Sequence, residues 1–290
     1  MADLTKPNGT YLKEVGPSGC KVVGGYDFVE RDDDPMDDRG HGTHVAAIAA
    51  GNGILKGVAP GAEIYAYKVL DFSGRGSTSD IISAIERSVD PNYDGNTDDH
   101  LDVISLSLGM NCGGYDKGCG PDDPMSTAID NAVSAGVVAV VAAGNSGPNG
   151  GIGSPAIARK AIAVGAANTT RPIPTVATFS SRWAYGMALK PDVVAPGVKI
   201  CAARYDSYAS GFECLDDSHI AISGTSMATP HVTGIVALMR QKAKSIDPEG
   251  WSPEGVKSAL RSTAVPVGNF PVKQGWGLVD AAKAVRLSHL

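Results

Sequence analysis

The sequence predicts an α/β chain with a mostly parallel central sheet and helices on both faces. Three observations carry this. First, four apolar runs, 62–70 (A-E-I-Y-A-Y-K-V-L), 102–108 (D-V-I-S-L-S-L), 137–143 (V-V-A-V-V-A-A) and 161–166 (A-I-A-V-G-A), lack the alternation of a half-exposed strand. Such runs suit strands covered on both faces. Second, helical patterns stand between them, and strand–helix–strand alternation argues parallel pairing. Third, no linker, repeat or low-complexity segment divides the 290 residues, so one domain is expected over 1–290.

Taken in order, G-H-G-T-H (40–44) opens a helix of small residues, with His41 at the loop-to-helix junction and His44 inside the first turn. Strand 62–70 follows, then helix 78–89 and strand 102–108. Asp123 stands as an N-cap with Pro124 at the first helical position, so a helix runs over 123–135. Strands 137–143 and 161–166 come next. Gly224 and Thr225 make a tight entry into a helix with apolar positions at Val232, Ile235, Val236 and Met239. Ser252 and Pro253 repeat the helix-start signal near the end.

The net charge of −6 and the scatter of Lys and Arg argue against a nucleic-acid surface. No apolar stretch is long enough to span a bilayer, and no membrane partner is expected. The first ten residues are polar, without the basic end and apolar middle of a signal peptide. The five cysteines admit two readings. Cys112 with Cys119 and Cys201 with Cys214 form two local disulfides and imply an oxidising compartment, or they are isolated thiols. Cys20 is left without a partner on the first reading.

The chemistry-bearing residues fall at element ends. Ser226 lies near a helix N-terminus, where free N–H groups and the helix dipole favour the negative charge of an oxyanion. It is a nucleophile or only a cap. A serine nucleophile needs an imidazole base, which His41 supplies. Asn145, in A-A-G-N-S-G just past an apolar strand, stands where open α/β sheets bind ligands and offers a second oxyanion donor.

G-H-G-T-H-V-A, S-L-S-L-G, A-A-G-N-S-G and G-T-S-M-A-T-P-H-V occur in the order and spacing of the subtilisin-like serine proteases, which the chain resembles over nearly its whole length. The resemblance implies a three-layer subtilisin-like fold and a secreted serine endopeptidase acting on polypeptide substrates. It casts Ser226 as nucleophile, His41 as general base and Asn145 as oxyanion donor. Gly74, Arg75 and Gly76, with Ser107, Leu108 and Gly109, resemble the two edges that pair with an extended substrate backbone. Ala143, Gly144 and Gly153 resemble the lining of the pocket for the residue before the scissile bond. Nothing charged falls there, which predicts cleavage after apolar or medium-sized side chains rather than Arg or Lys. The resemblance also implies a propeptide in the full-length form and no cofactor for the chemistry.

One part of the family pattern is missing. Nothing upstream of His41 matches the V-x-V-x-D-[ST]-G segment that carries the triad aspartate, and M-A-D-L resembles the stretch just beyond it. The chain is therefore expected to begin downstream of that acid. The alternative function is a catalytically inactive or incomplete chain that at most binds extended peptides. Asp3 is a poor substitute, since D-L-T-K-P does not resemble the needed turn. Trp183 alters access to the pocket or packs.

For metals, D-P-N-Y-D-G-N-T-D-D (90–99) has oxygen ligands at alternate positions and a glycine after the third, as in the first half of an EF-hand loop, but Leu101 stands where the closing acid belongs. Asp90, Asn92, Asp94 and Asp98 are either structural calcium ligands or a solvated acidic turn.

Overall fold

The computed structural model describes residues 21–110, 119–182, 189–205, 211–247 and 250–287. In chain order the first elements are β1 (Val22–Asp27), α1 (His41–Ala50), β2 (Ile64–Lys68), α2 (Thr78–Arg87) and β3 (Val103–Leu106). Next come α3 (Pro124–Ser134), β4 (Val138–Ala142), β5 (Ile162–Asn168), β6 (Thr175–Val176) and β7 (Val193–Pro196). The last are β8 (Ile200–Ala203), β9 (Phe212–Glu213), β10 (His219–Ile222), α4 (Thr225–Lys244), α5 (Pro253–Thr263), α6 (Pro271–Gln274) and α7 (Ala281–Leu287). The chain divides into two compact units: Met1–Ala84 with Ile200–Ile222, and Ile85–Lys199 with Ser223–Leu290.

In the first unit β1 pairs parallel with β2, with Val22 opposite Ile64 and Asp27 opposite Lys68. Gly24 leaves room for the cross-strand Tyr65 ring, which a Cβ there would meet at 2.3 Å. The expected small-residue helix is α1, and it lies against β8. It buries His44 completely, with Nε2 2.9 Å from the Ile220 carbonyl oxygen. Strands β8, β10 and β9 form a short antiparallel sheet that the sequence reading did not anticipate. The Cys201–Cys214 disulfide ties β8 to the residue after β9. Cys119 is also disulfide-bonded; Cys112, Trp183, Asp3 and Cys20 lie outside the described residues.

The second unit holds the parallel sheet that three of the four apolar runs predict; the fourth, 62–70, is β2, which pairs only with β1 in a two-stranded sheet and leaves Tyr65 exposed instead of covered on both faces. Strands β3, β4 and β5 are neighbours in parallel register, β7 joins β5 in parallel, and the two-residue β6 is antiparallel to β5. Every residue of β4 is buried. Its two faces are covered by helices, since α3, α4 and α5 all contact it. The run V-A-V-V-A is therefore apolar at each position instead of alternating. The Asp123 cap forms as expected: its carboxylate accepts from the Ser126 amide at 2.9 Å, with Pro124 opening the helix. Ser252 caps α5 in the same way, accepting from the Gly255 amide at 3.1 Å.

Beneath this sheet sits a buried ionic cluster. Asp192 is fully buried and receives Lys190 at 3.1 Å, Lys257 at 3.5 Å and the Arg261 guanidinium. The two ammonium groups also donate to the Ala161 carbonyl oxygen, each at 2.7 Å, and Asp192 accepts the Ala163 amide at 2.7 Å. Burial would push the Asp192 carboxyl up, but the three cations hold it below its ordinary value. Burial, with Lys190 adding repulsion, pushes Lys257 down to about 8 against the pull of Asp192.

Candidate active site

Of the expected site residues, Ser226, Asn145, Ser107, Leu108, Gly109, Ala143, Gly144 and Gly153 lie in the second unit, and His41, Gly74, Arg75 and Gly76 in the first.

In the second unit the strand ends supply the geometry. Strand β4 runs out through buried Ala143 to Gly144, whose φ of 100° is the left-handed value that glycine accepts without strain. This turn presents Asn145 at the surface. The Asn145 side chain has a fixed orientation. Its Oδ1 accepts from the Thr225 amide at 2.9 Å and the Thr225 hydroxyl at 3.1 Å. The Thr225 hydroxyl oxygen in turn accepts from the Gly144 amide at 3.2 Å. With its oxygen so engaged, the Nδ2 amide remains as the outward donor, which an oxyanion needs.

Ser226 is the second residue of α4 and half-buried, so its backbone N–H belongs to the free first turn of a long helix. Its hydroxyl donates to the Ser107 carbonyl oxygen at 3.3 Å. The Ser107 hydroxyl donates to the Ser226 carbonyl oxygen at 2.8 Å. This reciprocal pair fixes the end of β3 against the start of α4. Beyond it, the Met110 amide donates to the Ser154 carbonyl oxygen at 2.8 Å, an antiparallel bridge that sets Ser154, the residue after Gly153, beside Gly109 and Met110. A Cβ on Gly109 would come within 3.0 Å of that same Ser154 oxygen.

In the first unit His41 is the first residue of α1 and half-buried. The sequence sets it at the loop-to-helix junction, just before the helix; it stands instead as the first helical residue. Burial pushes its pKa below the ordinary imidazole value; the Asp37 carboxylate opposes this and Arg39 adds to it. Among the described residues no carboxylate accepts a hydrogen bond from the His41 ring. The segment with Gly74, Arg75 and Gly76 is a tight loop. Asp71 Oδ1 accepts from the Ser73 amide at 2.8 Å and the Arg75 amide at 3.0 Å. Gly74 rests against the Arg39 guanidinium, where a Cβ would meet Cζ at 2.9 Å.

Three of the four expected calcium ligands are acceptors within their own loop, and the fourth, Asp98, donates its amide to Asn96 Oδ1 at 3.1 Å. Asp90 accepts from the amides of Asp94 at 3.2 Å and Gly95 at 3.0 Å, Asn92 from Asp94 at 2.9 Å, and Asp94 from Asn96 at 2.7 Å. Among the described residues, no group of three or more His, Cys, Asp or Glu side chains converges on a point that would hold a metal ion. No helix among them is long and apolar enough to cross a membrane.

Comparison with known proteins agrees with the motifs. The family model described as "Subtilase family" matches residues 7–277. Serine protease AprX of Bacillus subtilis (strain 168) is 39% identical over 282 residues, covering 91% of this chain and 62% of its own length. M-protease of Shouchella clausii (strain KSM-K16) is 40% identical, covering 91% of this chain and 60% of the relative. Subtilisin Savinase of Lederbergia lenta is 40% identical, covering 91% and 84%. The chain thus spans about three fifths of the length of the first two.

Proposed function

The chain belongs to the subtilase family, and on that premise we propose that it is a serine endopeptidase, one subtilisin-like peptidase domain over 1–290. Ser226 Oγ attacks the scissile carbonyl carbon while His41 takes its proton. The oxyanion that forms meets the Ser226 backbone N–H and Asn145 Nδ2. Collapse of the tetrahedral species breaks the C–N bond, with His41 returning the proton to the leaving amine, and water repeats the sequence to free the acyl group. No cofactor enters any step. Extended polypeptide is the substrate, held along Gly74–Gly76 and Ser107–Gly109, with Ala143, Gly144 and Gly153 around an apolar or medium-sized side chain. The Cys201–Cys214 disulfide fits an oxidising compartment.

The observation that carries this reading is the Thr225 clamp on Asn145 Oδ1, next to a serine at the head of α4. A donor oriented away from its own clamp has no structural need that Thr225 does not already meet. Asn145→Leu is accordingly expected to lower kcat roughly 10²- to 10³-fold with little change in KM, a range measured on subtilisin and carried over here; steady-state hydrolysis of a chromogenic peptide reads it.

A second reading, binding of extended peptides without turnover, is favoured by the missing hydrogen-bonded acid at His41 among the described residues. Phenylmethylsulfonyl fluoride separates the two. An activated serine displaces fluoride and gains the sulfonyl group. Mass spectrometry is expected to locate that adduct on Ser226 in the parent and to lose it in His41→Ala. A chain that takes no adduct at Ser226 leaves only the peptide-binding reading.

A further inference from the structure

The residues just before His41 are pinned more heavily than a surface loop requires. Gly40 caps α1 with a φ of 101° and offers no side chain to the free amides of the first turn. Asp37 takes over that work from three residues upstream. Its Oδ2 accepts from the Thr43 amide and the Thr43 hydroxyl, both at 2.7 Å. Its Oδ1 accepts from the Gly40 amide at 2.7 Å and the Arg39 amide at 2.9 Å. One carboxylate therefore grips the backbone on both sides of His41.

The next two residues are held elsewhere. Asp38 binds Lys68 at 2.8 Å, and Lys68 also holds Asp27 at 2.9 Å and Glu30 at 2.8 Å. Arg39 Nη1 donates to the Phe72 carbonyl oxygen at 3.1 Å. Three consecutive side chains thus anchor this short stretch to α1, to the end of the β1–β2 pair and to the Asp71–Arg75 loop. Four donors on one carboxylate also keep it ionised: burial pushes Asp37 up, and the amides of Gly40, Arg39 and Thr43 with the Thr43 hydroxyl bring it below its ordinary value.

We propose that Asp37 is the positioning carboxylate of His41, fixing the helix start from which the imidazole projects and supplying a fixed negative charge that supports the imidazolium formed in each acyl-transfer step. The proposal rests on the reading of His41 as general base. Asp37 does not touch the ring and replaces no hydrogen bond to it; it acts through the backbone and through space. The other charges near His41 do not do this. Arg39 opposes the imidazolium, Asp38 is turned to Lys68, His44 is bonded to the Ile220 carbonyl oxygen, and β8, packed on α1, carries no ionisable side chain beyond the disulfide-bonded Cys201.

The test compares Asp37→Asn with Thr43→Val in the full chain. Thr43→Val loses a bond of the cap but keeps the charge. Two readouts are taken: the titration of the His41 ring by NMR, assigned by its loss in His41→Ala, and the pH profile of kcat/KM. In Asp37→Asn the His41 midpoint is expected to fall, the acid limb of kcat/KM to move down with it, and kcat to drop roughly ten- to a hundredfold, the scale of a small misplacement of a reacting group. Thr43→Val is expected to lower the melting temperature while leaving the midpoint in place. Asp37→Ser, which keeps a capping oxygen without charge, serves if Asp37→Asn does not fold. A folded, neutral variant with an unmoved His41 midpoint overturns the proposal and leaves His41 as base intact. A midpoint that falls while the acid limb stays shows that the limb is not His41; the reading of His41 as base then fails, and the proposal with it.

Discussion

Ser226→Ala is expected to lower kcat by roughly 10⁶-fold where an acid holds the His41 ring, the size measured for the same change in subtilisin, and by roughly 10²-fold where none does. The reason lies in how the residues act. The hydroxyl supplies the bond-forming oxygen, so removing it leaves the oxyanion donors and the bound substrate with only water as nucleophile. His41→Ala is expected to cost nearly as much, and the double variant no more than either, because the base has no task without the serine. Hydrolysis of a chromogenic peptide at high enzyme concentration checks this. The size of the ratio is informative. A His41 without a hydrogen-bonded acid slows the parent by roughly 3 × 10⁴ on the same scale and compresses the ratio from the parent's side. A parent indistinguishable from Ser226→Ala removes the endopeptidase reading for this chain.

The second large effect concerns stability. Asp192→Asn leaves Lys190, Lys257 and Arg261 around a neutral side chain that is fully buried. Breaking a buried ion pair from one side costs about 3–5 kcal/mol, because the remaining charge keeps its desolvation penalty and loses its partner. That is a large share of the roughly 5–15 kcal/mol available to a typical domain. Urea melts at pH 7 are expected to show it, and Lys257→Met added to Asp192→Asn is expected to recover part of the loss. The pH dependence of the parent follows from the same group. Lys257 sits at about 8 when folded, against 10.5 when unfolded. Between those values the folded chain has shed the proton and the unfolded chain retains it, so this lysine's contribution to stability rises with pH across that window. It amounts to about 3 kcal/mol at most, from roughly 2.5 units at about 1.36 kcal/mol each. Below about pH 8 both states hold the proton and the contribution is flat. A melting profile in which Lys257→Met shows the same rise assigns it to another group.

How much of this was legible depends on whether the signal was local. Strand β4 was, because V-V-A-V-V-A-A admits no face that tolerates water. The caps of α3 and α5 were too, since Asp123–Pro124 and Ser252–Pro253 carry their mechanism in adjacent residues. Ser226, Asn145 and Ser107 stood out by motif. The clamp of Thr225 on Asn145 joins two distant stretches and left no pattern in either. Strand β1 was missed because Gly24 and Gly25 interrupt its apolar run, although Gly24 is there to admit the Tyr65 ring. The β8–β10–β9 sheet was missed because its strands are two to four residues long. Lys190 and Asp192 carry no signal in the sequence, since such residues are seldom buried; only the fold shows that they pair inside. Asp37 was one of several upstream acids, and its grip on Gly40 and Thr43 depends on backbone geometry that composition does not carry.

The parallel sheet of the second unit has a consequence for lifetime. Val103 pairs with Val138, Val140 with Ile162 and Val164 with Val193, so each rung joins residues separated by a whole crossover. Chain entropy must be surrendered before any of these rungs rewards it, which makes high contact order a brake on assembly. At a given stability, slower assembly means equally slower disassembly. The working lifetime of this molecule among proteolytic neighbours is then governed by how rarely the sheet opens, a kinetic property of its topology, as much as by its equilibrium free energy.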